Sequence, residues 1–184
     1  MPRRGLIQRE GSVLVVIDLQ EKLLPHIAEK DEISKNIEKL VRFAKIMRIP
    51  IVMTEQYPKG LGPTILGVKQ LVPETEPIEK VEFSCFGSER FTEALARLKA
   101  RTLIIAGIEA HICVTQTAIE AVSNGYEAYV VSDGVSSRRL DDKATALERM
   151  RQSGVTIAST EMLMYELLEK AGTPEFKAAL EMVK

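Results

Sequence analysis

The sequence predicts an α/β fold of three layers, with a six-stranded, mainly parallel sheet and helices on both faces. Three observations support this prediction. Short apolar runs rich in β-branched residues recur along the chain, segments with helical periodicity lie between them, and no linker or internal repeat divides the 184 residues. Because the apolar runs are nearly continuous, they are typical of strands buried on both faces. We therefore expect a single domain over residues 1–184.

Five strands are predicted from clear apolar runs, and a sixth from a weaker, more polar run at residues 77–83. In chain order the six segments are residues 12–19, 49–54, 77–83, 101–108, 127–133 and 154–159. Their alternation with helical segments favours parallel pairing through crossover connections.

Four helices are predicted between the strands from their apolar periodicity. They cover residues 31–47, 88–100, 113–124 and 140–153. Two further helices at the C-terminus are separated at Gly172, with Thr173 as N-cap and Pro174 at the first helical position. Residues 55–76 are rich in turn formers and are interpreted as an active-site loop with a single helical turn.

Composition argues against several classes of partner. The formal net charge of −1 provides no electrostatic basis for binding nucleic acid or an acidic membrane surface. No apolar stretch is long enough to cross a bilayer, and the arginines near the start are not followed by an apolar signal-peptide core. Only two cysteines occur, which indicates a reducing compartment rather than a disulfide framework. We expect a cytoplasmic protein.

Open parallel sheets bind ligands beyond the carboxyl ends of their strands, and this rule selects four polar residues. Asp18 ends the first strand, Gln20 follows two places on, Lys80 lies in the weak strand over residues 77–83, and Cys113 follows the strand that ends near Gly107. Each also has an ordinary structural explanation. Asp18 could cap a helix or contact water, Lys80 could extend to solvent, and Cys113 could be a small buried apolar residue. The residues alone do not show that these side chains meet.

The setting of Cys113 favours chemistry over packing. A thiol in the first turn of the helix predicted over residues 113–124 would face free backbone N–H groups and the positive end of the helix dipole. We therefore expect a moderately lowered pKa for Cys113, and N–H groups suited to an oxyanion. Cys85 has no such setting and is interpreted as structural.

Three motifs together resemble the isochorismatase-like cysteine hydrolase superfamily. They are "VIDLQ" around Asp18, "EKVEFSCF" around Lys80, and the long segment beginning "GIEAHICVTQTA" around Cys113. The resemblance runs over nearly the whole chain. The stretches "TEQYPKGLG" and "GIEAHICV" are most similar to the isochorismatase domain-containing proteins.

The resemblance implies a catalytic triad of Asp18, Lys80 and Cys113. Cys113 would attack a carbonyl or related carbon and form a covalent, thioester-type intermediate. Asp18 would take the thiol proton and later return it to the leaving amine, and Lys80 would stabilise the charge on Asp18 and the thiolate. The substrate would be a small amide, imide or carbamoyl compound. The alternative is a non-catalytic binding or scaffold protein that retains the hydrolase fold.

The resemblance also implies a cis peptide bond between Ile108 and Glu109, which would direct the backbone N–H groups of Ile112 and Cys113 at the oxyanion. His111 is interpreted as a pocket-lining or capping residue rather than a base. The side chains expected to line the substrate pocket are Gln20, Gln56, Tyr57, Phe83, Phe86 and His111.

We expect no metal and no cofactor. Nicotinamidases of this superfamily carry an Asp-x-His metal motif after the second strand, where this chain has "TEQYPKG", and only His26 and His111 occur in the sequence. A nucleotide site is also unsupported. Although the predicted sheet is Rossmann-like, "GLGPTILG" lacks both the dinucleotide glycine spacing and the Lys of a P-loop.

A homo-oligomer is expected from an apolar stripe near the C-terminus that one domain would not fully cover. Its members are Met162, Leu163, Met164, Leu167 and Leu168.

Overall fold

The protein is described by a computed structural model that covers residues 5–182, so that the ends of the predicted domain, residues 1–4 and 183–184, lie outside the described part. One sheet contains six strands in the spatial order β3-β2-β1-β4-β5-β6, and each of these pairings is parallel. The predicted six-stranded α/β architecture is confirmed. The strands are β1 (Ser12–Ile17), β2 (Ile51–Gln56), β3 (Ile78–Lys80), β4 (Thr102–Ile108), β5 (Glu127–Ser136) and β6 (Thr156–Ala158).

In the described part of the chain, six helices lie between successive strands and two follow β6, and the longer ones pack on the two faces of the sheet. They are α1 (Lys30–Met47), α2 (Pro58–Leu61), α3 (Leu66–Lys69), α4 (Glu89–Arg97), α5 (Thr115–Ser123), α6 (Leu140–Gln152), α7 (Thr160–Leu168) and α8 (Pro174–Leu180). Tight turns occur at Leu24–His26, Cys85–Gly87 and Ala110–Val114, the last with π-helical geometry. Within residues 5–182, no helix combines the length and apolarity that a membrane span requires.

Alternation along β1 separates two apolar cores. Leu14 and Val16 point to one face of the sheet, where α1, α7 and α8 pack. Val13, Val15 and Ile17 point to the other face, against α4, α5 and α6. Because all six residues of β1 are buried, the continuous apolar run of the sequence reflects a central strand covered on both sides.

Two predicted elements differ from the structure near the sheet edge. The strand predicted over residues 77–83 pairs only at Ile78–Lys80, because the chain bends after Lys80. The loop at residues 55–76 begins within β2 and contains two short helices, α2 and α3, rather than one helical turn. Gly62 and Pro63 lie between these helices and separate them, since neither residue favours helix continuation.

The C-terminal helices form as predicted, but their apolar stripe is mostly buried within the chain. The Thr173 hydroxyl accepts a hydrogen bond from the Phe176 N–H at 3.0 Å and caps α8. Of the stripe, only Met162 is exposed, while the four leucine and methionine side chains from 163 to 168 belong to the core. The observation behind the predicted homo-oligomer was therefore wrong. The oligomeric state itself stays a prediction, which light scattering tests.

Gly107 lets two central strands approach each other where the site begins. Its φ of +126° lies in a region that residues with a side chain rarely adopt, and a Cβ there would lie 2.1 Å from the Ile17 carbonyl oxygen. The register of β4 against β5 also shifts between Ile105 and Gly107. A residue with a side chain would push β4 away from the end of β1.

Gly107→Ala should destabilise the protein far more than Gly125→Ala. Gly125 also has a positive φ, +83°, but an added Cβ there would meet no atom within 4 Å. Gly125→Ala should therefore lower the free energy of unfolding by about 1–2 kcal/mol, from backbone strain alone. For Gly107→Ala the steric overlap adds to that strain, and urea unfolding should show at least twice the loss. Equal losses would contradict the close approach at Ile17.

Candidate active site

Asp18 is the first residue after β1, at the carboxyl edge of the sheet. Its backbone adopts φ of 51°, in the left-handed region that aspartate occupies more readily than most residues. Its N–H donates to the Thr54 carbonyl oxygen at 3.1 Å, which ties it to the end of β2. Asp18 is 0% exposed, so its charge depends on protein partners.

Lys80 ends β3 and points inward rather than to solvent. Its Nζ lies 2.7 Å from Asp18 Oδ2, and the side chains of both residues are fully buried. Nζ also donates to Gln56 Oε1 at 2.7 Å and to the carbonyl oxygens of Glu82 and Phe83 at 3.2 and 3.3 Å. The ammonium thus has partners for all of its protons, as a buried charge requires.

The pKa of Lys80 lies above its ordinary value. Burial acts to lower this pKa, but the negative charge on Asp18, the neighbouring Cys113 and Cys85, and the hydrogen bond to Asp18 raise it by more. Lys80 therefore stays a cation at neutral pH. It supplies a fixed positive charge beside Asp18.

Cys113 lies in the turn that joins β4 to α5, two residues before the first residue of α5. The helix predicted to start at Cys113 starts at Thr115, because the preceding turn closes with π-helical bonds such as Val114 N–H to Glu109 O at 3.3 Å. The thiol is 6% exposed and forms a hydrogen bond with the Asp18 carboxylate. Asp18 is therefore in contact with both Lys80 and Cys113.

The expected lowering of the Cys113 pKa is wrong. Burial raises the pKa of this thiol well above its ordinary value; the Asp18 charge raises it further, Lys80 lowers it, and the hydrogen bond to Asp18 again raises it. A helix N-terminus would lower the pKa of a thiol, but burial of Cys113, which has no signal in the sequence, outweighs that effect. At neutral pH Cys113 is a protonated thiol next to a carboxylate, not a preformed thiolate.

The turn before Cys113 has the predicted backbone geometry. The peptide bond between Ile108 and Glu109 is cis, as expected from the resemblance. The Ile112 N–H donates to the Glu109 carbonyl oxygen at 3.1 Å. This amide already has a protein partner, so a role of Ile112 in binding an oxyanion would require it to share that hydrogen. The Glu109 carboxylate pairs with Arg138 Nε at 2.5 Å.

Two of the predicted pocket residues instead hold the loop and the lysine in place. Gln20 is 0% exposed, and its amide bonds the Gln56 N–H, the Gln56 carbonyl oxygen and the Gly62 carbonyl oxygen at 2.8, 3.0 and 2.7 Å. Gln20 therefore does not face a substrate, which corrects the prediction. Gln56 accepts from Lys80 and donates from Nε2 to the Val81 carbonyl oxygen at 2.8 Å, and so orients the ammonium.

Three other predicted pocket residues differ in their exposure and contacts. Tyr57 and Phe83 are both 55% exposed at the sheet edge near Lys80. Phe86 packs against Phe91 and Tyr126, with ring centroids 5.4 and 5.7 Å apart. A cleft of about 360 Å³ beside Lys80 is lined by Tyr57, Pro58, Lys59, Glu79, Val81 and Glu82.

His111 is held by the segment that follows β5. Its Nδ1 lies 2.8 Å from Ser137 Oγ, and its N–H donates to the same oxygen at 3.3 Å. This contact agrees with the interpretation of His111 as a pocket-lining or capping residue. It places no hydrogen bond between His111 and the thiol.

Sequence reasoning missed two residues that adjoin Asp18. Thr54 Oγ1 donates to Asp18 Oδ1 at 2.7 Å, and Cys85 Sγ lies 3.9 Å from Thr54 Oγ1. Thr54 could have been found, because it is the polar residue that ends the second apolar run and so lies at the same sheet edge as Asp18. For Cys85 no pattern in the sequence indicates this position.

Among residues 5–182, no group of three or more His, Cys, Asp or Glu side chains lies close enough together to hold a metal ion. The predicted absence of a metal stays a prediction. What the site provides is one buried acid that interacts with both a buried cation and a thiol. This set can transfer a proton from sulfur to a carboxylate and stabilise the charges that result.

Asp18→Asn should make Cys113 more reactive towards alkylation. The substitution removes the anion that raises the thiol pKa, so more thiolate is present at a given pH. Site-resolved iodoacetamide labelling at about pH 8 should accelerate by roughly tenfold or more. Glu55→Gln is the matched control, because Glu55 is a buried carboxylate bonded to Thr64, and it should leave labelling unchanged. Labelling of Asp18→Asn at the wild-type rate would contradict the contact.

Comparison with known proteins supports the resemblance stated above. The family model described as the isochorismatase domain matches residues 12–162. Isochorismatase domain-containing protein 2 of Danio rerio is 38% identical over 175 residues, which cover 94% of this chain and 87% of that protein. The human protein of the same name is 35% identical, with 100% of this chain and 88% of that protein covered.

Solved structures show the same fold. A structure described as MAR1 ribonuclease from Caenorhabditis elegans has a TM-score of 0.90 and 35% identity, with 97% of this chain and 92% of that chain covered. YcaC of Escherichia coli, described as an octameric hydrolase of unknown specificity, has a TM-score of 0.91 at 22% identity, with 99% and 92% covered. The family match and the full-length relatives lead to one conclusion: this chain belongs to the isochorismatase family of hydrolases.

Proposed function

We propose that the protein is a cysteine-dependent hydrolase of small amide, imide or carbamoyl compounds. The observation that carries the proposal is the position of Asp18, whose carboxylate bonds the Lys80 ammonium at 2.7 Å and the Cys113 thiol at the same time. A carboxylate held by a fixed cation and in contact with a thiol is placed to accept the thiol proton.

In the first half of the proposed reaction, Cys113 Sγ attacks the carbonyl carbon of the substrate as its proton moves to Asp18. The carbonyl oxygen becomes an oxyanion, which the backbone N–H of Cys113, with that of Ile112, would stabilise. Collapse of this intermediate breaks the C–N bond. The leaving nitrogen takes the proton from Asp18, and the acyl group remains on Cys113 as a thioester.

In the second half, Asp18 accepts a proton from a water molecule that attacks the thioester carbon. The C–S bond then breaks, the acid is released and the proton returns to the Cys113 sulfur. Lys80 stays charged throughout and offsets the negative charge that moves between Asp18 and Cys113. Each proton taken up by Asp18 is returned within one turnover, so no cofactor is required.

The raised pKa of Cys113 fits this mechanism better than one with a resting thiolate. A protonated thiol needs a general base at the moment of attack, and Asp18 is in contact with it. Deprotonation that accompanies attack also limits reaction of the resting thiol with solutes that are not substrates.

RNA is the other substrate that the names of relatives suggest, because one similar structure is described as a ribonuclease. The protein carries a net charge of −1, and the cation of the site, Lys80, is fully buried and paired with Asp18. An RNA substrate would need exposed positive charge along its phosphates. A small neutral carbonyl compound makes no such demand, and we therefore favour it.

A panel of small amides, imides, ureas and carbamates should include at least one compound that the wild type hydrolyses. Cys113→Ala should lower the rate by about a thousandfold or more, since no other group replaces the nucleophile. Gln116→Ala is the matched control, because Gln116 is exposed on α5 near Cys113, and it should retain full activity.

An RNA arm of the same experiment separates the two substrate classes. A single-stranded RNA should remain intact with wild type under conditions where an amide is consumed. Cleavage of RNA that disappears in Cys113→Ala, with no amide hydrolysed, would overturn the proposal. Binding of panel compounds without any turnover would favour the non-catalytic alternative.

A further inference from the structure

Thr54 contacts Asp18 through both its side chain and its backbone. Its hydroxyl donates to Asp18 Oδ1 at 2.7 Å, and its carbonyl oxygen accepts from the Asp18 N–H at 3.1 Å. Thr54 is 1% exposed and lies opposite Ile17 in the register of β1 and β2. The acid is therefore anchored to the neighbouring strand by two hydrogen bonds from one residue.

The two oxygens of the Asp18 carboxylate have different donors. Oδ1 accepts from the Thr54 hydroxyl, and Oδ2 accepts from the Lys80 ammonium, each at 2.7 Å. Because the donors come from β2 and β3, they define the plane of the carboxylate. The Cys113 thiol therefore interacts with a carboxylate whose two oxygens are each held by another donor.

A second thiol lies beside the Thr54 hydroxyl. Cys85 Sγ lies 3.9 Å from Thr54 Oγ1, and the Cys85 N–H donates to Thr117 Oγ1 at 3.0 Å. Burial raises the pKa of Cys85 to about 11, with the Asp18 charge raising it and Lys80 lowering it, so the residue remains a thiol at neutral pH. An S–H that donates to Thr54 leaves the Thr54 hydrogen for Asp18.

We propose that Thr54 is a positioning residue for Asp18, and that Cys85 orients the Thr54 hydroxyl towards the carboxylate. This inference rests on the proposed function in one respect, namely that Asp18 is the base for Cys113. The titratable and charged groups that face Asp18 are Lys80 from β3, Cys113 from the turn after β4, and Cys85 from the turn before α4. Thr54 also donates to Asp18, and its hydroxyl does not titrate in this pH range.

The labelling of Cys113 provides a test that needs no substrate. Iodoacetamide reacts with the thiolate, which forms at mildly acidic pH when the thiol proton moves to Asp18 and at alkaline pH when the proton is lost to solvent. At a pH low enough for Asp18 to carry a proton already, this transfer is blocked and labelling slows about tenfold for each pH unit. The wild-type profile should therefore contain a lower inflection, and Asp18→Asn should lack it.

Thr54→Val removes the hydroxyl with little change in volume, so the Asp18 carboxylate loses one of its donors and the labelling of Cys113 changes its dependence on pH. The lower inflection should move upward by about one to two pH units. Thr54→Ser keeps the donor and should restore the inflection to within about 0.3 pH units of wild type. Cys85→Ala should cause a smaller upward shift, because it frees the Thr54 hydroxyl to rotate.

A Thr54→Val profile that overlays wild type, or a wild-type profile without the lower inflection, would overturn the proposal. Unchanged labelling in Cys85→Ala would overturn the part assigned to Cys85. Thermal unfolding of Thr54→Val and Thr54→Ser shows whether each variant is folded, and if Thr54→Val is not, Thr54→Ala tests the same donor. The inflection of the labelling profile can shift in Thr54→Val even if the protein hydrolyses no amide, and amides can be hydrolysed even if the inflection does not shift. Failure of the proposed role of Thr54 is therefore distinguishable from failure of the proposed hydrolase function.

Discussion

The buried ion pair between Lys80 and Asp18 is the interaction on which the candidate site depends. Its two charges lie 2.7 Å apart with both side chains inaccessible to solvent. Loss of one partner would leave an unpaired buried charge, which destabilises proteins by about 3–5 kcal/mol. Much of the nearby structure satisfies these two groups, including Thr54 on Asp18 and Gln56 on Lys80. Gln20 in turn holds Gln56 through its backbone.

The ion pair also determines what kind of nucleophile Cys113 can be. Burial and the Asp18 charge keep the thiol protonated, whereas Lys80 favours the thiolate. The site is therefore arranged for proton transfer during attack rather than for storage of a thiolate. Its reactivity would depend on a substrate that brings an electrophilic carbon to the sulfur, with Asp18 in position to accept the proton.

The fold could be predicted well from the sequence because its signals are local. The apolar run of β1 and the N-cap residue Thr173 can both be recognised in the sequence, and both elements form as expected. Elements at the sheet edge could be predicted less well. The strand predicted over residues 77–83 ends at Lys80, whose partner Asp18 lies 62 residues away in the chain, and that contact has no local signal.

Some features of the candidate site could likewise be predicted from the sequence, and others could not. Asp18, Lys80 and Cys113 could be named because strand ends mark ligand sites and because the motifs resemble a family. The prediction that Gln20 lines the substrate pocket was wrong, because the sequence does not distinguish a glutamine that contacts a ligand from one that hydrogen-bonds the backbone of a loop. The raised pKa of Cys113 was missed because burial is a property of the assembled fold, not of a motif.

The proposed reaction requires that Cys113 carry the acyl group during turnover. The most direct measurement is mass spectrometry of enzyme quenched during reaction with a hydrolysed amide, followed by peptide mapping. We expect an acyl adduct on the peptide that contains Cys113, labile to hydroxylamine as a thioester is, and no adduct on Cys85. Steady turnover with no adduct on Cys113, at a rate unchanged in Cys113→Ala, would contradict it.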